Sequence, residues 1–138
     1  MNKQIKGLVK SFFWFGMVGF SAMFVHFYTV TGILVPLEIP PLMANTCGFL
    51  VAFIVSYFGH TYLTFKHPDA KTAPSLSGLF RFFMVATAGF VLNQVVFYLL
   101  LTLTHLGLDL SLGITLVLIS GITYLLSKFW AFKVSKND

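Results

Sequence analysis

Apolar positions fall in four long stretches, roughly Ser11–Val35, Leu42–Phe65, Leu79–Leu103 and Leu110–Phe132. Each reaches the length of about 20 predominantly apolar residues that a helix needs to cross the hydrocarbon core. The stretches are continuously apolar, not alternating, which excludes the strands of a membrane β-barrel. The interruptions are equally clear. VPLEIPP (Val35–Pro41) carries three prolines, which cannot continue a helix. KHPDAKTAPSLSG (Lys66–Gly78) is the one strongly polar stretch and divides the chain into halves, and THLGLD (Thr104–Asp109) separates the last two apolar runs. The pattern predicts an all-α membrane protein, residues 1–138 forming a single domain of four transmembrane helices.

Composition agrees with this pattern. The chain is 57% hydrophobic and 9% charged, with a mean hydropathy of +0.88. Soluble domains carry about 25% charged residues, so this chain cannot cover a water-facing surface and lipid is the expected solvent. The N-terminus, MNKQIKGLVK followed by an apolar run, resembles a secretory leader in outline. Its apolar run exceeds the usual span of about 7–15 residues and no small-residue cleavage site follows, so it is expected to stay as the first span. The single Cys47 lies within an apolar run and reads as a small buried side chain, with no internal disulfide available to it.

Charge placement sets the expected topology. The nine Lys and Arg residues occupy three places: Lys3, Lys6 and Lys10 at the start; Lys66, Lys71 and Arg81 around the central loop; and Lys128, Lys133 and Lys136 at the end. The other two connections hold one acid each, Glu38 and Asp109. With four spans, the three basic regions share one face, and the positive-inside rule puts both termini and the central loop in the cytoplasm. The net charge of +5 is matched by anionic lipid headgroups rather than by nucleic acid.

The halves echo one another. A shift of 70 residues aligns FFWFGMVGFSAMFVHFY (Phe12–Tyr28) with FFMVATAGFVLNQVVFY (Phe82–Tyr98), and 7 of those 17 positions are identical. A shift of 67 aligns SYFGHTYLTFK, ending at Lys66, with TYLLSKFWAFK, ending at Lys133. Each half reads as a helical hairpin. Because each unit holds two spans, the expected arrangement is two parallel repeats, not inverted ones. The offset falls by three, which is expected from a shorter second outer loop.

These residues resemble the GtrA-like family of small four-helix bacterial inner-membrane proteins. The resemblance rests on RFFMVATAGF (Arg81–Phe90) and on the helix ends SYFGHTYLTF and LLSKFWAF, and it covers about Lys10–Lys133. It implies translocation of a polyprenyl-phosphate-linked sugar across the inner membrane, for surface polysaccharide modification, beside a glycosyltransferase. Two departures between the halves matter: Ser11 stands opposite Arg81, and Thr61 opposite Lys128. If basic positions hold the substrate, the second half carries more of that role.

On that implication, Arg81 and Lys128 are candidate contacts for the lipid phosphate, since both lie inside a helix end and Arg can hold phosphate bidentately. Either residue could instead only anchor its helix at the interface. His60 could donate to the same phosphate or simply pack near the interface. Asn93 and Gln94 lie 12 and 13 residues beyond Arg81, about 18–20 Å deeper. Their amides need partners there, either another helix or a sugar hydroxyl in transit. Lys66, Lys133, Trp130 and Tyr62 read as interface anchors. His26 has no partner visible in the sequence and receives no role.

Small residues recur at steps of three or four in every span: Gly16 and Gly19; Asn45, Gly48, Ala52, Ser56 and Gly59; Ala86, Gly89 and Asn93; Ser120, Thr123 and Ser127. These are expected to be helix-packing faces.

The residues offer no nucleophile–His–acid arrangement, no phosphate-cradling Gly-rich loop and no metal-ligand spacing. The expectation is therefore a carrier, not an enzyme, with no cofactor and no metal. The acids Glu38, Asp69, Asp109 and Asp138 all lie in loops or at the terminus, which argues against a carboxylate-driven proton exporter. Two rival functions stay open: a non-transport anchor or assembly subunit that recruits a glycosyltransferase, and a small channel or exporter. Four helices make a small bundle for a bulky headgroup, so a homo-oligomer is expected.

Overall fold

A computed structural model describes residues 3–64 and 76–134. Helix α1 runs Lys3–Tyr28 and continues as a π-helical segment, Thr29–Leu34. Helix α2 runs Pro41–Gly59 and continues as a second π-helical segment, His60–Thr64. Helices α3 (Leu76–Leu103) and α4 (Leu108–Val134) complete the chain, and no strand occurs among the described residues. The protein is an all-α membrane protein. Among the described residues, three stretches are long and apolar enough to cross a bilayer: Phe13–Leu34, Pro41–Leu63 and Phe83–Leu103. The α4 helix has 27 residues, about 40 Å of rise, and its apolar stretch among the described side chains is Leu108–Ile122.

The chain divides into two compact units, Met1–Thr87 and Ala88–Asp138. In the first, α1 and α2 form an antiparallel hairpin. The prolines act as the sequence predicts: Pro41 opens α2 at its first position, where a missing N–H removes no helical bond. The preceding turn closes through Glu38 N–H to the Val35 carbonyl at 2.9 Å and Ile39 N–H to the Leu34 carbonyl at 3.1 Å. Glu38 sits at φ 62°, the left-handed region that a side chain tolerates only at a cost.

The hairpin packs as a bulky ridge against a row of small residues. Val18, Ala22 and His26 of α1 and Val30 of its π-helical continuation lie at steps of four and are all buried, and Ala44, Asn45, Gly48 and Ala52 of α2 are buried too. A Cβ placed on Gly48 would come within 2.5 Å of Val30 Cγ2 and 2.8 Å of His26 Cδ2; one on Gly59 would meet Val18 Cγ1 at 2.7 Å. The small-residue reading thus holds for α2. It does not hold for Gly16 and Gly19, which are exposed with nothing within 4 Å of an added Cβ. The reason is helical phase: the α1 ridge passes through Val18 and Ala22, which turns both glycines outward. Gly89 likewise has open space around it.

In the second unit the buried positions are Asn93 and Phe97 on α3, and Ser111, Leu112, Thr115, Leu116 and Ile119 on α4. Large apolar side chains such as Phe20, Phe24, Leu103 and Val117 are more than half exposed. An apolar surface of that extent has lipid as its natural solvent.

Candidate functional site

The first hairpin encloses a polar pair that sequence reasoning left unassigned. The His26 Nε2–H donates to Asn45 Oδ1 at 2.7 Å, joining α1 to α2 in a buried position. Gly48, one turn beyond Asn45, lets the imidazole approach the α2 backbone. Both partners were visible in the sequence as an imidazole and an amide within neighbouring apolar spans. The usable signal was that an amide or imidazole in hydrocarbon requires a partner. What hid the pairing is that nothing in one span states which residue of the other lies opposite.

His60 begins the second π-helical segment and is 7% exposed. Its ring stacks on Phe15 with centroids 4.7 Å apart, so it lies within the α1–α2 interface. Tyr62, 53% exposed, stacks on Phe58 with ring centroids 6.1 Å apart. Both π-helical segments contain a threonine whose hydroxyl takes a carbonyl one turn back: Thr31 bonds Phe27 at 2.9 Å and Thr61 bonds Tyr57 at 2.8 Å. Thr46, Thr102 and Thr115 make the same bond within ordinary α-helix, so the hydroxyl is satisfied locally in either kind of turn.

Beside this end of the hairpin lies an open apolar recess of about 170 Å³, lined by Trp14, Met17, Val18, Ser21, Val55, Gly59 and Leu63. The Ser21 hydroxyl is already committed to the Met17 carbonyl at 2.8 Å, so the recess offers hydrocarbon and aromatic surface more than hydrogen bonds.

Arg81 stands in the early turns of α3, two residues before Phe83. Phe83 packs edge-on against Phe53 of α2 with centroids 5.2 Å apart, which fixes this part of α3 to the first hairpin. The Arg81 side chain lies outside what the structure describes. Lys128, Trp130 and Lys133 stand on α4, and their side chains too are outside the described part. Lys66 lies outside the described residues. Asn93 is 5% exposed and Gln94 half-buried, adjacent on α3. Neither residue is without an interaction partner. Among the described residues, no group of His, Cys, Asp and Glu is placed to hold a metal ion.

Long apolar helices, a largely apolar outer surface and buried polar side chains such as His26, Asn45 and Asn93 define a multi-pass helical membrane protein. The chain belongs to the family described as GtrA/DPMS, transmembrane domain, which it matches over residues 14–132. No curated protein and no solved structure is significantly similar to it.

Proposed function

We propose that this protein carries a polyprenyl-phosphate-linked sugar across the bacterial inner membrane, from the cytoplasm to the opposite face, for modification of surface polysaccharide. Membership of the GtrA/DPMS family over residues 14–132 carries this reading. The buried polar positions within its spans support it, because a membrane protein keeps such groups only where they are paired or in use. On this reading the protein is a carrier and not a catalyst, works as a homo-oligomer and receives its substrate from a partner glycosyltransferase. Both termini and the central loop face the cytoplasm.

Arg81 and Lys128 are assigned to the lipid phosphate at headgroup depth, with His60 a secondary donor that must first leave its stack on Phe15. Asn93 and Gln94 are assigned to the sugar during transit. Lys66, Lys133, Trp130 and Tyr62 hold the helices at the interface.

Reconstitution in vesicles tests the proposal. Purified protein should move a polyprenyl-phosphate-linked sugar from one leaflet to the other, and Arg81→Ala or Lys128→Ala should slow it by about tenfold or more, the worth of a charge-assisted hydrogen bond. Full activity in both variants would overturn the phosphate assignment. Protein that binds a glycosyltransferase but moves no lipid would replace transport with the assembly role.

A further inference from the structure

Seven hydroxyls in and beside the described helices share one arrangement. Thr31, Thr46, Thr61, Thr102, Thr104 and Thr115 each return the hydroxyl to the carbonyl four residues back, as does Ser21. This is how a short polar side chain is satisfied in an apolar helix. The Ser111 and Thr87 hydroxyls do not: both are buried and lack a partner. Ser111 is the more informative, because the whole residue is 0% exposed and sits in the first turn of α4. Its N–H bonds the Gly107 carbonyl at 3.0 Å, while its hydroxyl oxygen is left without hydrogen-bonding company.

A buried unsatisfied hydroxyl is unfavourable and calls for a missing partner. Ser111 is also not isolated in the pattern of α4. Thr115, one turn deeper on the same face, is 0% exposed, and its hydroxyl donates to the Ser111 carbonyl at 2.7 Å. That leaves the Thr115 oxygen able to accept from elsewhere. The buried face of α4 therefore opens with two hydroxyls among Leu112, Leu116 and Ile119. Leu110, Ile114, Val117 and Leu118, on its other faces, are exposed and wholly apolar.

We propose that Ser111 and Thr115 line a polar recess at the Thr104–Gly107 end of the second hairpin, closed in this structure, that admits water when the hairpin opens. Resting on the transport reading, the group it receives is a sugar hydroxyl. The closed state strands one hydroxyl and the open state satisfies it, so the stranded group favours opening. The sealed surface is thus one side of a two-state element.

Cysteine accessibility tests this independently of transport. In a Cys47→Ser background, Ser111→Cys and Thr115→Cys are exposed in intact membranes to a small water-soluble thiosulfonate. Leu110→Cys and Val117→Cys, 60% and 63% exposed in the native residues, serve as lipid-facing controls, and labelling after denaturation confirms that each thiol is present. A thiol held in hydrocarbon stays protonated and inert. The buried positions should react at least about tenfold faster than the exposed ones, the inverse of the order expected in water. Adding Ser111→Leu should slow labelling of Thr115→Cys, since the larger side chain plugs the route from the loop end. Unreactive cysteines at both 111 and 115, or equal labelling of the lipid-facing controls, would overturn the proposal, whatever the vesicle assay reports.

Discussion

Gly48 lies where α1 and its π-helical continuation pack closely on α2, and its missing side chain is what lets them do so. The atoms that a Cβ would meet belong to Val30, a β-branched residue with one favoured helical rotamer, and to an imidazole already bonded to Asn45. Neither can swing aside. Gly48→Ala should therefore destabilise the hairpin by about 1–3 kcal/mol through overpacking, seen as a lower unfolding midpoint in detergent or bicelles. Gly16→Ala is the contrast, since nothing lies within 4 Å of its added Cβ. Removing glycine's backbone freedom there should leave stability unchanged or raise it by up to about 1 kcal/mol. Equal losses at the two positions would refute the packing account. Glu38 presents the opposite problem: a side chain at φ 62° where glycine would be unstrained. Glu38→Gly should stabilise the turn by about 1 kcal/mol or less, the relieved strain being partly offset by greater freedom of the unfolded chain.

The hairpin element adds a polar clasp to this packing. Replacing Asn45 by Leu strands the His26 imidazole, and replacing His26 by Leu strands the amide. Each single change should cost more than the double change implies, with a coupling of about 0.6–2 kcal/mol in a double-mutant cycle. A coupling near zero would mean that lipid or water satisfies the groups equally well. The clasp also marks how far the sequence could be read. Hydropathy and prolines located the helices, because both act locally; the helix ends fall within about three residues of the apolar stretches, except that α1 begins at Lys3, eight residues before Ser11. The small face of α2 was legible for the same reason. The partner of His26 was not, and neither was the outward turn of Gly16 and Gly19, because each depends on the rotation of one helix against the next. Nor did the pattern reveal the π-helical segments. Between Tyr28 and Pro41 the first hairpin has twelve residues, Thr29–Pro40, six of them π-helical; between Tyr98 and Leu108 the second has nine, the first five still α-helical. The three-residue change in repeat offset is thus shared between a widened helical turn and a longer loop.

For the whole molecule, the sequence speaks most clearly through charge, and least clearly through the candidate site. The phosphate assignment rests on Arg81 and Lys128 as positions along α3 and α4, whereas the groups whose geometry is fixed, His26, Asn45 and His60, are held by packing that no linear pattern records. Topology can be argued further because it depends on where lysines stand, not on how they are aimed. Lys6 and Lys10 lie exposed on the first three turns of α1. The turn at Val35–Pro40 and the connection at Thr104–Gly107 contain no lysine or arginine. Translocating a basic loop is disfavoured, so these two connections should face away from the cytoplasm and Lys71 and Lys136 toward it. Reporter fusions that are active on only one side should give one answer at Glu38 and Leu106 and the opposite answer at Lys71 and Lys136. Exchanging Lys3, Lys6 and Lys10 for Gln while placing three lysines in the 104–107 connection should weaken or invert that pattern, since the lysine bias and not the apolar spans sets the direction. A pattern that survived the exchange unchanged would show that some other feature orients the chain, and the cytoplasmic placement of Arg81 and Lys128 would lose its support.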